Sequence, residues 1–342
     1  MTLASPVPAG DDWAPLTLVD VPVPQAGPGE VRLRVACCGV CRTDVDLAEG
    51  RLAAPRYPLI PGHQVVGHVD ALGPGTEELG LAEGDRVGVA WIHSACGECR
   101  WCREGRENLC PRFEATGCDA PGGFAEWMTV PAAFAHALPR DITDVQAAPL
   151  LCAGAIGWRS LRLTELADGE PLGLTGFGAS AHLVLQLARR RCPHSPVYVF
   201  ARAEEERAFA RDLGAEWAGA ITDTPPVELS AIIDTTPAWT PVVEAMRCLA
   251  PGGRLVINAI RKENADREAL LRLDYATHLW KEREIRSVAN VTRADVREML
   301  SAAATERLEA TVDVMPLAHA NDALRGIRQG GGRGARVLSI EE

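Results

Sequence analysis

Four cysteines between positions 96 and 110 constrain the fold of this chain more than any other feature. They are spaced Cys-x2-Cys-x2-Cys-x7-Cys, at Cys96, Cys99, Cys102 and Cys110. Four thiolates this close in sequence can surround one zinc ion tetrahedrally and leave no open position, which is typical of a structural site. An iron–sulfur cluster is an alternative, because ferredoxins also use short cysteine spacings, but the last gap here is seven residues. The spacing favours zinc and predicts a lobe organised by a metal.

The composition bears on the cellular compartment of the chain and on its binding partners. The chain has 342 residues and eleven cysteines, and clustered thiols in a reducing cytosol are more often metal ligands than disulfides. A formal net charge of −11 disfavours a nucleic-acid partner, since phosphate backbones repel an acidic chain. The sequence contains no run of about 18 apolar residues, so no membrane span is predicted. Residues 1–20 lack the features of a secretion signal. We therefore expect a cytoplasmic protein without membrane or nucleic-acid partners.

Two sequence patterns predict two domains. Residues 1–150 contain short β-like runs separated by glycine and proline turns, with few helical patterns. From about Ala153, apolar strand-like runs alternate with helical stretches, which predicts βαβ units and a doubly wound parallel sheet. The predicted strands are residues 171–176, 197–201, 231–234, 254–259 and 285–289, with helices at residues 180–191, 204–213 and 238–249. The expected fold class is α/β, with a β-rich domain preceding the parallel sheet.

A glycine-rich turn follows the first of these strands. Gly176-Phe177-Gly178-Ala179-Ser180-Ala181 has the form G-x-G-x-x-A and opens the next predicted helix. Its glycines permit a tight turn and the close approach of a pyrophosphate to the helix N-terminus. The motif alone is weak evidence, but its position inside βαβ units fits the dinucleotide fingerprint. Gly176, Gly178 and Ala181 are therefore candidate cofactor-binding residues.

A further set of candidate ligands lies on both sides of the cysteine cluster. Residues 38–44 read CGVCRTD, residues 61–64 read PGHQ, and Cys152 stands in the run LLCAG. Alone, Cys38 and Cys41 could be a dithiol redox pair, and His63 could be an ordinary loop histidine. Together, and in this order, the motifs resemble the zinc-dependent medium-chain dehydrogenase/reductase family, specifically its alcohol dehydrogenases. The resemblance covers essentially the whole chain.

The resemblance implies a fold, a metal site and an activity. The fold is a GroES-like β-rich catalytic domain at residues 1–152 and 288–342, with a Rossmann dinucleotide-binding domain at residues 153–287. Cys41, His63 and Cys152 are expected to hold a catalytic zinc. Two thiolates and a neutral imidazole cancel its charge and leave a fourth position for an alcohol or carbonyl oxygen. The expected enzyme is an alcohol dehydrogenase or aldehyde (carbonyl) reductase that transfers hydride between an alcohol and a nicotinamide cofactor.

The same resemblance assigns further roles. Thr43 is expected to relay the substrate proton, Asp44 to orient the ligand histidine, and Arg336 to contact the cofactor pyrophosphate. Asp46 stands where many relatives carry a histidine that passes the proton to solvent, and a carboxylate could serve there. Gln64 replaces the family's usual glutamate, which keeps a side-chain oxygen but removes the charge. Zinc binding should survive, and the effect on the rate of ligand exchange at the zinc is not predicted.

The end of the second strand of the parallel sheet bears on the choice between NAD and NADP. An acidic residue there usually binds the ribose hydroxyls of NAD. Here residues 197–200 are followed by Ala201 and Arg202, so no carboxylate is present and an arginine is positioned for a 2′-phosphate. The acidic residues at 204–206 would repel that phosphate if they turned inward. We expect NADP to be favoured over NAD.

Two other functions fit parts of the sequence. One is a polyol or sugar dehydrogenase of the same superfamily, although those relatives commonly use a glutamate in the region where this chain has Cys152. The other is a catalytically silent dinucleotide-binding relative, which need not keep Cys41, Thr43, His63 and Cys152 together. The resemblance also implies a homodimer or homotetramer.

Overall fold

The computed structural model of the chain describes residues 1–10, 12–330 and 333–340, in two units. The first unit runs from Met1 to Ala155 and resumes at Asn290, and the second is Ile156–Ala289. The catalytic role predicted for residues 1–152 with 288–342 and the cofactor-binding role predicted for residues 153–287 remain predictions. Residues 341–342 lie outside the described part.

The helices and strands are numbered in chain order. The strands are β1 (Thr2–Leu3), β2 (Leu16–Thr17), β3 (Glu30–Val40), β4 (Gln64–Leu72), β5 (Arg86–Val89), β6 (Ile92–Ser94), β7 (Glu114–Ala115), β8 (Trp127–Pro131), β9 (Ala135–Ala137), β10 (Leu172–Thr175), β11 (Val197–Phe200), β12 (Trp217–Gly219), β13 (Leu229–Asp234), β14 (Leu249–Ile257), β15 (Glu284–Ser287), β16 (Val312–Pro316) and β17 (Ala335–Ser339). The α-helices are α1 (Arg42–Ala48), α2 (Arg100–Arg103), α3 (Asp144–Pro149), α4 (Ala155–Thr164), α5 (Ala181–Arg191), α6 (Glu204–Asp212), α7 (Thr240–Arg247), α8 (Arg293–Glu306) and α9 (Ala320–Gln329).

The main sheet of the first unit is centred on the long strand β3. Val31, Leu33 and Val35 are buried while the residues between them are less so, which is the alternation expected when one face of a strand meets the core. The strand order is β16-β17-β3-β4-β5-β9, and β8 also pairs with β3. All pairs are antiparallel except β16 with β17. The sheet thus joins strands from both ends of the sequence.

The second unit contains a six-stranded sheet in the order β12-β11-β10-β13-β14-β15. Every pair in it is parallel, and α5, α6 and α7 connect successive strands. Counted from β10, this is the order 3-2-1-4-5-6 of the Rossmann dinucleotide-binding fold. The predicted α/β class with a doubly wound parallel sheet is confirmed.

The reversal of strand order lies between β10 and β13. Thr175, the last residue of β10, is opposite Asp234, the last residue of β13. In open parallel sheets, ligands bind outside the carboxyl ends of the strands at this reversal. The topology therefore places the glycine-rich turn that begins at Gly176 at the expected ligand-binding edge of the second unit.

Candidate active site and cofactor site

Cys41 is the first residue after β3 and caps α1. Its backbone is extended, at φ −138° and ψ −176°, and its N–H donates to Asp44 Oδ2 at 2.8 Å. The Thr43 N–H points back to the Cys41 sulfur, with an N···S distance of 3.4 Å. These reciprocal contacts form a capping box, in which the cysteine takes the place usually held by serine or threonine. They fix Cys41, Thr43 and Asp44 at the start of one helix.

His63 immediately precedes β4, and the pairing of β4 with β3 brings it to Cys41. Gly39 of β3 is opposite Gln64, so the two neighbouring ligand candidates emerge at the same end of the strand pair. Gly62 has a positive φ of 95°, and a Cβ there would lie 2.4 Å from the Phe124 ring, so this turn requires glycine. The Cys41 sulfur and His63 Nε2 are 3.3 Å apart.

Cys152 completes the cluster from a π-helical turn, Leu150–Gly154, between α3 and α4. The two sulfurs of Cys41 and Cys152 and a ring nitrogen of His63 all lie within 4.8 Å of one another. A π-helical turn widens the helix locally and is common at functional sites. Sulfur and nitrogen ligands of zinc sit at about 2.0–2.3 Å, which places them roughly 3.5–3.8 Å apart in a tetrahedral site. The donor set and its spacing fit a zinc ion.

Burial and close neighbours shift the pKa values of two groups in this cluster. The hydrogen bond with Cys152, together with burial, raises the pKa of Cys41 well above its ordinary value. Although burial alone lowers it, the nearby Cys41 and Asp44 raise the pKa of His63 to about 10. Asp44 Oδ1 lies 3.3 Å from His63 Nδ1, on the side of the ring away from Cys41. A divalent cation at this cluster would compensate negative charge on these groups.

Asp46 and Trp91 have well-defined surroundings near this cluster. The buried carboxylate of Asp46 accepts from Arg51 Nε at 2.8 Å and lies 3.7 Å from Arg42 Nε. Two arginines therefore neutralise the group predicted to pass a proton to solvent. Trp91 packs edge-on against the His63 ring, with centroids 4.9 Å apart, and so lies beside a candidate ligand.

The four cysteines of the second candidate metal site also converge. Cys96, Cys99, Cys102 and Cys110 place their sulfurs within 4.8 Å of one another. The Cys102 sulfur is 3.8 Å from that of Cys96 and 3.6 Å from that of Cys99, which excludes disulfides and approaches the roughly 3.8 Å expected around tetrahedral zinc. Backbone N–H donors at Cys99 and Glu98 lower the pKa of Cys96 to about 6, which favours a thiolate.

The glycine-rich turn joins β10 to α5 in the second unit. Gly176 has φ 79°, and a Cβ there would lie 2.7 Å from Thr235 Oγ1, so the turn packs closely on the segment after β13. A Cβ at Gly178 would meet open space within 4 Å, next to the N-terminus of the helix that begins at Ala181. This arrangement leaves room for a pyrophosphate beside a helix N-terminus.

The residues after β11 bear on the choice between NAD and NADP, and the expectation of NADP remains a prediction. Ala201 is buried and Arg202 is exposed. Glu204 pairs with Arg207 and Arg211, the Oε2–Nη2 distance to Arg207 being 2.8 Å, and these arginines lower the pKa of Glu204. Glu206 Oε2 accepts from the Ala203 N–H at 3.4 Å. Glu204 and Glu206, two of the three acidic residues at 204–206, thus contact residues of α6 or of its N-cap.

Arg336 lies on β17, where its side chain packs against α9. Its Nη1 donates to the carbonyl oxygen of Ala323 at 2.8 Å, and Nε is 3.8 Å from Asp313 Oδ2. Contact of Arg336 with a pyrophosphate remains a prediction from the resemblance.

One buried ion pair at the ligand-binding edge of the second unit was not predicted from the sequence. Lys262 Nζ contacts Asp234 Oδ2, and the two side chains are 9% and 0% exposed. A weak signal for it was present, because Asp234 ends its strand directly after three apolar residues, 231–233. Its partner lies 28 residues further along the chain, in a segment without a recognisable motif.

Among the described residues, no helix combines the length and apolar character needed to span a membrane.

Comparisons with known proteins give one consistent result. Residues 27–140 match the family model described as the alcohol dehydrogenase GroES-like domain. "Probable alcohol dehydrogenase AdhA" of Mycobacterium tuberculosis is 45% identical over 332 residues, covering 96% of this chain and 94% of that protein. An alcohol dehydrogenase of Geobacillus stearothermophilus is 31% identical over 336 residues, covering 96% of both chains. The cobalt- and zinc-bound thermostable alcohol dehydrogenase of Pyrobaculum aerophilum superposes with a TM-score of 0.87 at 26% identity, covering 99% of this chain and 98% of that one.

Proposed function

We propose a division of catalytic roles on the premise that this chain belongs to the zinc-dependent medium-chain dehydrogenase/reductase family, in its alcohol dehydrogenase branch. It is an NAD(P)-dependent oxidoreductase that acts on an alcohol or aldehyde. The observation that carries the assignment of roles is the convergence of Cys41, His63 and Cys152 within 4.8 Å, backed by the Asp44 carboxylate.

The first proposal concerns the catalytic metal. Cys41, His63 and Cys152 would hold a zinc ion whose remaining position is open to substrate. Zinc bound there would supply Lewis-acid chemistry, favouring loss of the alcohol proton in one direction and polarising the carbonyl in the other. The metals named for the Pyrobaculum aerophilum structure, cobalt and zinc, suit this donor set.

The protein residues around this position would orient the ligands and move the proton. Asp44 would accept the Nδ1 proton of His63, so that the unprotonated Nε2 faces the metal. The hydroxyl of Thr43, two residues beyond Cys41 on the first turn of α1, would accept the substrate proton. Asp46 remains the candidate for its onward transfer, and its ion pair with Arg51 would then have to open. Trp91 would exclude water beside His63.

A second zinc is proposed at Cys96, Cys99, Cys102 and Cys110. Four sulfur ligands leave no position for substrate, so its role would be structural. All eleven cysteines are free thiols in the structure, which supports a reducing environment such as the cytoplasm. Metal analysis by mass spectrometry should find about two zinc ions per chain, one for each cluster.

NADP is proposed as the preferred cofactor. Ala201 offers no carboxylate to the ribose, and the exposed Arg202 would bind a 2′-phosphate through a charge-assisted contact. The pairing of Glu204 with Arg207 and Arg211 removes one source of repulsion. Gly176, Gly178 and Ala181 would hold the pyrophosphate at the start of α5.

A homodimer or homotetramer is also proposed, through the second unit. Within the described residues, β15 pairs only with β14 and so leaves one edge of the six-stranded sheet open. Ile285 on this strand is 42% exposed, and nearby in sequence Tyr275 and Trp280 are exposed with their rings 5.8 Å apart. Such apolar exposure at an open sheet edge is typical of a surface covered by another chain. A monomeric mass by multi-angle light scattering would contradict this proposal.

The activity is tested with a panel of alcohols and aldehydes and both cofactors. The zinc-loaded wild type should oxidise or reduce at least one member of the panel, and Cys41→Ser should abolish turnover while leaving the four-cysteine site loaded. Cys192→Ser, which alters a thiol outside both clusters, serves as the control. Full turnover by Cys41→Ser would reject the catalytic metal site.

A further inference from the structure

The ion pair of Lys262 and Asp234 ties together the loops at the carboxyl ends of β13 and β14. The ammonium group of Lys262 contacts Asp234 Oδ2 and donates to the carbonyl oxygens of Thr236 at 2.7 Å and Ala238 at 3.1 Å. An ammonium group has three N–H donors, so these three acceptors use all of them. Lys262 therefore has no donor left for a ligand and acts on the backbone around it.

The other oxygen of Asp234 connects this pair to the glycine-rich turn. Oδ1 accepts from Thr175 Oγ1 at 2.6 Å and from Thr236 Oγ1 at 2.8 Å. Thr175 directly precedes Gly176, and Thr235 packs against the position where a Cβ of Gly176 would stand. One buried carboxylate thus holds the ends of both central strands, β10 and β13, while Lys262 adds the segment that follows β14.

The backbone segments that Lys262 holds lie on one half of the sheet, although the Asp234 carboxylate also reaches β10. In a doubly wound fold of this strand order, the two βαβαβ halves each bind one mononucleotide. The fingerprint and β11 belong to the half that binds the adenosine, whereas β13 and β14 belong to the other half. Asn258 follows β14, and its Nδ2 is a buried donor without a hydrogen-bond partner in the described structure. A buried unpaired donor at a ligand-binding edge is a group that a ligand can satisfy.

We propose that Lys262 and Asp234 are positioning residues for the nicotinamide half of the cofactor. This inference rests on the proposed function, since it requires that the second unit binds a nicotinamide dinucleotide. The pair holds residues 234–238 and 258–262 in the geometry that receives the nicotinamide riboside, without touching it. Buried ion pairs of this kind contribute more to a defined geometry than to net stability.

The test is a binding measurement on a charge-neutral double variant. Lys262→Met alone would leave a buried unpaired carboxylate, so it is combined with Asp234→Asn. The amide oxygen that Asp234→Asn introduces would still accept from Thr175 and Thr236, which preserves the contact with the glycine-rich turn. Dissociation constants are measured by fluorescence or calorimetry, without turnover. The probes are NADPH with 2′-phospho-ADP, which lacks the whole nicotinamide riboside, and NADH with ADP.

The double variant should bind NADPH and NADH roughly ten- to a hundredfold more weakly than the wild type, as expected when a binding loop loses its preorganisation. Binding of the two fragments without nicotinamide should stay unchanged. The matched control is Arg254→Met with Glu284→Gln, which removes an ion pair near the amino ends of the paired segments of β14 and β15. This control should leave all four dissociation constants unchanged.

Other outcomes decide against the inference. Unchanged binding of the dinucleotides, or an equal loss for dinucleotides and fragments, would overturn it. If the double variant does not fold, Lys262→Arg replaces it, because a planar guanidinium keeps the charge but cannot reach the same three acceptors. Wild-type binding of NADPH by Lys262→Arg would then overturn it equally. A wild type that binds neither dinucleotide would instead reject the proposed function.

Discussion

Asp44 lies directly behind His63, with its Oδ1 3.3 Å from Nδ1 of the imidazole and both side chains 1% exposed. Metal-ligating histidines depend on such a partner for ring orientation and for the correct tautomer. Asp44→Asn keeps an acceptor for the Cys41 N–H, so the protein should fold, while its affinity for the catalytic zinc falls about 10- to 100-fold. The measurement is zinc per chain after dialysis against chelators of graded strength.

The control for this prediction is Asp70→Asn. Asp70 lies on the same strand that follows His63, but its carboxylate pairs with Arg32 outside the cluster. This variant should retain zinc as the wild type does. Equal zinc retention by Asp44→Asn and Asp70→Asn would show that the carboxylate behind His63 does not support metal binding.

The four-cysteine site should carry a large part of the stability of its lobe. Cys102→Ser removes one of the sulfurs that lie within 4.8 Å of one another, so zinc should fall from about two ions per chain to about one. Because structural zinc contributes folding free energy directly, Tm should fall by on the order of 10 °C. Thermal unfolding with and without chelator measures this. Cys192→Ser is the control. An unfolding curve of Cys102→Ser that matches the curves of the wild type and of Cys192→Ser would exclude a structural metal.

Cofactor preference should depend on the two residues that follow β11. Arg202→Ala should weaken NADP by roughly ten- to a hundredfold and leave NAD nearly unchanged, because one charge-assisted contact is lost. Ala201→Asp should shift preference toward NAD, by repelling the 2′-phosphate and offering the ribose an acceptor. Ratios of kcat/KM for the two cofactors give the result.

Arg247→Ala is the matched control for cofactor preference, since Arg247 pairs with Glu244 on α7 and not with the acidic residues that follow β11. It should leave the ratio close to that of the wild type. A wild type with a higher kcat/KM for NADH than for NADPH would contradict the assignment, and the exposed Glu205 would be the next candidate to bind the ribose.

Asp266 should make the second unit sensitive to acid. Although partial burial acts in the opposite direction, N–H donors of Trp239 and Thr240 hold the pKa of Asp266 below its usual value. A lowered carboxyl pKa adds stability above the unfolded-state value of about 4, and this is lost as pH falls through the folded-state pKa. Asp266→Asn should therefore cost about 1 kcal/mol or less at pH 7, because the group is partly solvated, and this cost should shrink as pH falls through the folded-state pKa.

Urea unfolding of Asp266→Asn at several pH values from 2 to 7 checks this prediction. Glu268→Gln, an exposed acid two residues further on, is the control and should follow the wild-type profile. A stability difference between Asp266→Asn and the wild type that stays constant across the range would contradict a role for the charge.

The metal ligands could be predicted from the sequence because their spacing is local or matches an ordered set of motifs. The helix Arg42–Ala48 was harder to predict from the sequence. Its N-cap is Cys41, and only the reciprocal contact with Asp44 in the structure identifies the capping box. The start of β14 was also missed: the strand begins at Leu249, but residues 250–253 read as a turn and shift the register against β13. Local propensity favours a break there, and pairing with the neighbouring strand overrides it.

Contacts between distant segments could not be predicted. The buried charge of Asp46 is balanced by Arg51, five residues away, yet nothing in the sequence shows which way either side chain turns. The pairing of Asp234 with Lys262 arises only when β13 and β14 lie side by side and their following loops meet. A single sequence contains both residues of such a pair but does not show that they are paired.

The sheet that joins both ends of the sequence sets an order for folding during synthesis. The second unit is continuous in sequence, so it can fold as soon as residues 156–289 have left the ribosome. The main sheet of the first unit must wait longer, because β17 pairs with β3 and its buried Val337 and Leu338 follow the second unit in the chain. Cys41, His63 and Cys152 all emerge long before that sheet closes. The candidate metal ligands are therefore made before the strand that completes the sheet carrying Cys41 and His63.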